Sequence, residues 1–108
     1  MNMKLKGNSK PSRIETMFRD LSVIERPERI KILQFLDVNP GKHTIKEIYR
    51  ELNYENEKVL EYDLRLLQAA GLVQNKKEST GPEFSITQKG IELLHALESK
   101  EEIKKLYA

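Results

Sequence analysis

The run from Val59 to Val73 constrains the fold more than any other part of this chain. Leu60, Leu64 and Leu67 recur at i, i+4 and i+7, which places them on one face of a helix. Gly71 sits where a helix ends on a left-handed residue, since a residue without Cβ adopts positive φ at no steric cost. Leu72 just beyond it can fold back onto the helix. Leu72 to Lys77 then reads as an extended segment. Glu83 to Ile86 is its return strand, with Phe84 and Ile86 facing one way and Ser85 the other. Glu78-Ser79-Thr80-Gly81-Pro82 between them has the composition of a hairpin tip, and Thr87 can cap a helix that follows.

Upstream, the pattern is helical. Ser12 to Glu15 has capping-box spacing, and behind it Ile14, Met17, Phe18 and Leu21 form one amphipathic face. Pro27 suits the first turn of the next helix, where Ile30, Ile32, Leu33, Phe35 and Leu36 predict burial on most sides. Asn39-Pro40-Gly41 ends it, with His43 in the loop beyond. Thr44 to Glu47 is a second capping box, opening a short helix with Ile45, Ile48, Tyr49 and Leu52 on one side. After a polar break at Asn53 to Asn56, a longer helix runs from Glu57 to about Ala70. Two helices separated by a tight break have helix-turn-helix spacing, and a hairpin followed by a helix adds a wing.

The expected architecture is therefore mainly α with a small β-hairpin: a winged helix-turn-helix with an extra N-terminal helix and a long C-terminal dimerisation helix. Residues 1–11 read as a flexible basic arm and 12–108 as a single winged-helix domain. Within it the helix-turn-helix covers about 44–70, the wing about 72–86 and the C-terminal helix about 88–107.

Several function classes are disfavoured by composition. Cysteine is absent from the 108 residues, which removes disulfides and thiolate metal sites. No apolar run approaches the roughly 20 residues of a membrane span, and Met1 to Lys10 lacks the apolar core of a signal peptide, so a cytoplasmic protein without a membrane partner is expected. His43 and His95 fall on different elements, and solvated side chains explain both. Gly41-Lys42-His43-Thr44 has the tail of a phosphate loop, but Leu36 stands where the first glycine belongs. No catalytic constellation, cofactor site or metal site emerges, and no enzymatic function is expected.

What remains is a binding surface. Net charge is only +2, but residues 1–20 carry five bases (Lys4, Lys6, Lys10, Arg13, Arg19) against Glu15 and Asp20, or +3. Opposite the leucine face of the longer helix stand Glu57, Lys58, Glu61, Tyr62, Arg65 and Gln68. A helix entering the major groove by its N-terminus presents its first two turns to base edges and phosphates, and Lys58, Tyr62 and Arg65 suit such contacts. Glu55, Glu57, Glu61 and Asp63 do not suit a polyanion, although Glu57 can complement the helix dipole and Glu61 can pair with Arg65 at i+4. Lys76 and Lys77 flank the tip of the wing. A C-terminal helix from Gln88 onward spans about 30 Å at 1.5 Å per residue, more than a compact monomer can cover. Ile91, Leu94, Ile103, Leu106 and Tyr107, together with Ile14, Met17, Phe18 and Leu21, are the expected homodimer interface.

The stretch Leu60 to Val73 resembles the recognition-helix-to-wing signature of ArsR-like and related archaeal winged-helix regulators. Ile86 to Leu94 is similar to the element after the wing in that group and in its MarR and PadR relatives. Arg26 to Leu33 resembles their opening helix. The resemblance implies a homodimeric transcription factor whose groove-facing positions are Glu57, Lys58, Val59, Glu61, Tyr62 and Arg65, with Lys76 and Lys77 on the wing. It does not carry metal sensing over, because the ligand residues of the metal-sensing members are missing. Glu57 and Glu61 also stand where such regulators usually have Ser, Thr, Gln or a base. Two readings follow: a sequence-specific regulator of double-stranded DNA, or a winged-helix protein-interaction module using an acidic helix face. A third, a repressor with an effector pocket at the dimer interface, has no ligand-specific group in the sequence to support it.

Overall fold

The computed structural model describes residues 22–24 and 26–107, with side chains through Lys100. The basic arm and the face formed by Ile14, Met17, Phe18 and Leu21 lie outside the described residues. So do the side chains of Ile103, Leu106 and Tyr107.

Residues 22–24 are helical and contribute the fully buried Ile24. Helix α1 (Pro27–Val38) starts with proline in its first turn, where the missing N–H leaves no bond unmade. Strand β1 (His43–Thr44) leads directly into helix α2 (Ile45–Leu52). The predicted capping box closes from both sides: the Glu47 N–H donates to Thr44 Oγ1 at 3.2 Å, and the Thr44 N–H donates to Glu47 Oε1 at 2.9 Å. Asn53 ends α2 with φ +55, a left-handed conformation that asparagine tolerates better than most residues. Helix α3 (Glu57–Ala69) is capped by Asn56, whose side chain accepts from the Val59 N–H at 2.9 Å. Strands β2 (Val73–Glu78) and β3 (Gly81–Ile86) form the wing, and helix α4 (Gln88–Tyr107) follows.

The three strands make one antiparallel sheet in the order β1-β3-β2. His43, expected in a polar loop, instead pairs with Phe84 across β1 and β3. Its ring lies edge-on to Phe35 with centroids 5.1 Å apart. A two-residue strand carries no periodicity to read, so β1 has no signature in the sequence. The wing strands also run further into the tip than composition suggests, with Lys77 opposite Pro82 and Glu78 opposite Gly81. Only Ser79 and Thr80 turn the chain, and the positive φ that the reversal needs falls on Gly81, at +116.

The core joins all these elements. Ile32, Leu33 and Leu36 of α1, Ile48 of α2 and the predicted leucine face of α3 (Leu60, Leu64, Leu67) are at most 1% exposed. Burial of each such side chain contributes about 1.5–3 kcal/mol relative to leaving it in water. Phe84 and Val73 close the core from the sheet. Leu94 of α4 is fully buried as well. The stripe on α4 predicts a place in the dimer interface for it, yet its surface is already covered within the protomer, where α4 lies along α1. His95 Nε2 meets Asp37 Oδ2 at 3.0 Å, and Gln34 donates to Glu98 at 3.3 Å, along that same seam.

The joint between α3, the wing and α4 explains why two separate sequence runs stood out. Past the Ala70 cap, the Gly71 N–H donates to Gln68 O at 2.9 Å and the Leu72 N–H to Leu67 O at 2.9 Å. With φ of +78 at Gly71, this is a complete Schellman ending. Two residues at the start of α4, Thr87 and Lys89, clasp that turn. Thr87 Oγ1 donates to Gly71 O at 2.6 Å and accepts from the Gly90 N–H at 3.0 Å. Lys89 Nζ donates to Ala70 O at 2.9 Å, satisfying a carbonyl at the end of α3.

Candidate nucleic-acid interface

With Leu60, Leu64 and Leu67 turned inward, α3 presents the opposite face to solvent. Lys58 is exposed, Val59 is 37% exposed and Tyr62 is 61% exposed. The pair at i, i+4 expected from the spacing is present, with Arg65 Nη2 donating to Glu61 Oε2 at 2.6 Å. Glu57 faces Lys46 of α2 at 3.7 Å. Both pairs stand in solvent, where such contacts are worth roughly 0.2–1 kcal/mol and exchange readily for another partner. Three exposed or half-exposed carboxylates, Glu55, Glu57 and Glu61, are therefore accompanied by three cations, Lys46, Lys58 and Arg65, a local sum of zero.

Asp63 corrects the sequence reading. Counted there among the carboxylates that would repel a polyanion, it is 4% exposed and points inward. Arg29 of α1 donates from Nε to Asp63 Oδ1 at 2.9 Å and from Nη1 to the Val23 carbonyl at 2.9 Å. The hydroxyl of Tyr54, from the break between α2 and α3, donates to Asp63 Oδ2 at 2.6 Å. In sequence Tyr54 stands in a polar break, with nothing to mark it as a partner of α3. The network escapes a periodicity argument because its members are 9 and 34 residues apart and look like ordinary surface residues one at a time. Among the described residues, no buried side-chain nitrogen or oxygen lacks a hydrogen-bond partner. An open cleft of about 440 Å³ lies beside the network, bordered by Arg26, Lys31, Leu52, Val59 and Tyr62.

Burial and the bond to the Asp63 carboxylate push the Tyr54 phenol well above its ordinary value. The folded state thus retains a proton that the unfolded chain releases near pH ~10. Stability from this group is complete below that pH and is lost as the pH rises further. Between about pH 9 and pH 11 the unfolding midpoint of the wild type is expected to fall more than that of Tyr54→Phe. Equal slopes in thermal melts across that range would remove Tyr54 as the source. At the acid end, the Thr44 backbone N–H holds the Glu47 carboxyl below the usual range, so the α2 cap weakens as that group protonates.

On the wing, Lys76 and Lys77 are exposed, as are Ser79 and Thr80 at the tip. Lys76 stands opposite Glu83. Lys42, beside β1, pairs with Glu78 at 3.1 Å. Ile91 is half-buried on α4. Among the described residues, no group of three or more His, Asp or Glu side chains is arranged to hold a metal ion. No described helix is long and apolar enough to cross a membrane.

Three helices with a short β1, a two-stranded wing and a helix closing the joint define a winged helix-turn-helix. The likeness extends to solved structures. A homodimeric winged helix-turn-helix DNA-binding domain from Mycobacterium bovis matches with a TM-score of 0.78 at 18% identity, covering 98% of this chain and 96% of that one. A protein of Enterococcus faecalis assigned to the MarR family gives 0.74 at 21% identity over 94% of each chain. S. aureus MepR in its DNA complex gives 0.66 at 19% identity, covering 87% of this chain and 80% of that one. No curated protein matches the sequence. The model of the HxlR-like helix-turn-helix family matches residues 26–108, and the chain belongs to that family. The sequence resemblance had left the subfamily open among winged-helix regulators.

Proposed function

We propose that this chain is a transcriptional regulator that binds double-stranded DNA as a homodimer, with the exposed face of α3 as its reading surface. The observation that carries the proposal is the division of α3 into two faces. Three leucines fix it in the core, and Lys58, Val59, Tyr62 and Arg65 are offered to solvent from its first turns. Family membership supports the same reading, as does the presence of DNA-bound MepR and a homodimeric DNA-binding domain among the similar folds. Lys58 and Arg65 are assigned to phosphates or guanine edges and Tyr62 to a phosphate, with Glu57, Val59 and Glu61 alongside. Lys76 and Lys77 follow the backbone from the wing. The α4 helix, with Ile91, Ile103, Leu106 and Tyr107, is assigned to the dimer together with the segment holding Ile14, Met17, Phe18 and Leu21.

The acidic-face alternative loses part of its support, since Asp63 is turned inward and Glu57 and Glu61 each have a cationic neighbour, while Glu55 stays exposed. Binding rather than catalysis is the role this surface fits.

Duplexes selected from a random pool provide the test. Affinity for a selected duplex is expected to fall steeply with salt, because each neutralised phosphate releases counterions. Lys58→Ala combined with Arg65→Ala should weaken binding and flatten the log–log salt slope by about 1 for each phosphate contact removed. Glu57→Gln with Glu61→Gln should tighten binding, since it frees Arg65 and Lys46 and removes two repelling charges. Unchanged affinity in both double variants would reject α3 as the reading helix. Sedimentation of the full chain checks the dimer.

A further inference from the structure

The leucine face alone does not fix how α3 presents its outer residues. Burial of Leu60, Leu64 and Leu67 is favourable but non-directional, so a small roll of the helix about its axis changes it little. Directional bonds resist such a roll, and Asp63 makes two. Its Oδ1 is held by Arg29 from α1 at 2.9 Å and its Oδ2 by Tyr54 from the preceding break at 2.6 Å. The carboxylate is thereby gripped from two sides, by groups that belong to different elements. Arg29 is itself fixed, since its Nη1 also donates to the Val23 carbonyl at 2.9 Å. Both Arg29 and Asp63 are under 10% exposed, so water competes little for these bonds. Asp63 adjoins Tyr62 in sequence and lies between Lys58 and Arg65, so any roll it prevents is a roll of those three side chains.

We infer that Arg29, Asp63 and Tyr54 are positioning residues for base reading: they fix the roll of α3 and so set discrimination between duplexes, not attraction to phosphate. The inference rests on the DNA-reading role of α3 proposed above. Base-edge hydrogen bonds need placement to within about 0.5 Å, whereas a long cationic side chain follows a displaced phosphate. Loosening the grip on Asp63 should therefore cost specificity before it costs non-specific affinity.

Tyr54→Phe is the sharpest probe, because it removes one hydrogen bond and keeps the ring. The full-length wild type and variant are compared on a duplex that the wild type selects from a random pool and on a scrambled duplex of equal length. Binding is measured at two salt concentrations, and thermal unfolding is followed in parallel. The affinity ratio between the two duplexes is expected to fall at least ~5-fold in Tyr54→Phe, with the scrambled-duplex affinity and its salt slope unchanged. A ratio within ~2-fold of wild type, even with a lowered unfolding midpoint, would overturn the inference and leave the network a purely structural one. A parallel loss on both duplexes would overturn it equally. Should Tyr54→Phe be unfolded at the assay temperature, Arg29→Lys reads the same ratio, because it keeps the charge beside Asp63 while losing the bond to Val23. A wild type that selects no duplex would overturn the regulatory reading and this inference together. Selection by the wild type with no change in the variants would overturn this inference alone.

Discussion

Arg29→Ala is expected to be among the most destabilising single substitutions in the described chain, costing about 3–5 kcal/mol. The loss comes less from the attraction between Arg29 and Asp63 than from what stays behind. Without the guanidinium, Asp63 keeps a buried carboxylate with only the Tyr54 hydroxyl to satisfy it, and the Val23 carbonyl loses its donor. Desolvation that was offset by a charge-assisted bond becomes uncompensated. A domain of this size shifts its unfolding midpoint by roughly 4–8 °C per kcal/mol, so calorimetry or circular dichroism registers the change easily. The combination Arg29→Met, Asp63→Leu and Tyr54→Phe should recover most of the loss, since apolar replacement of a complete buried network is often neutral or better. A single Arg29→Ala that melts within a degree or two of wild type would refute this account of the network.

The second large effect is expected at Gly90. Its φ is not unusual, and the constraint is space. A Cβ there would lie inside contact distance of the Leu72 carbonyl oxygen and 2.8 Å from Ile86 Cγ1. The carbonyl is backbone, anchored by the Thr87 N–H that donates to it at 3.0 Å, so it cannot swing aside as a flexible side chain would. Gly90→Ala should cost about 1–3 kcal/mol by overpacking, and Gly90→Val more. Gly71→Ala offers a contrast. Around Gly71 a Cβ would meet only the Lys89 side chain, no closer than 3.7 Å, and the penalty there comes from the positive φ. Equal melting points for Gly90→Ala and wild type would refute close packing of α4 against the Leu72 carbonyl as the constraint at this position.

The elements most legible in the sequence are those whose determinants are local. The Thr44–Glu47 capping box, the α3 leucine face and the Gly71 stop each lie within a few residues and appear where their patterns placed them, and the hairpin does so with a tighter tip. Non-local determinants were hidden. Strand β1 exists because β3 offers it an edge, and two residues carry no alternation of their own. Asp63 looked like a surface carboxylate because its partners come from α1 and from the turn before it. Leu94 looked available for a dimer because a stripe on α4 does not reveal that α1 already covers it. On the exposed face of α3, the residue types and the Glu61–Arg65 pair follow from i, i+4 spacing. The pairing of Glu57 with Lys46 required knowing how α2 and α3 meet.

The clasp of Thr87 and Lys89 on the end of α3 has a consequence for how the wing can be altered. It brings the two ends of residues 73–86 together and seals them with hydrogen bonds that belong to the flanking helices. The wing thereby has a fixed base, whose Val73 and Phe84 belong to the core, and a tip that does not. Its tip can lengthen, shorten or change charge while the core beneath it is left alone, because loop closure grows only slowly more costly with length. Changes confined to Ser79 and Thr80 would thus alter the reach and charge of the wing while the fold beneath it stays as it is.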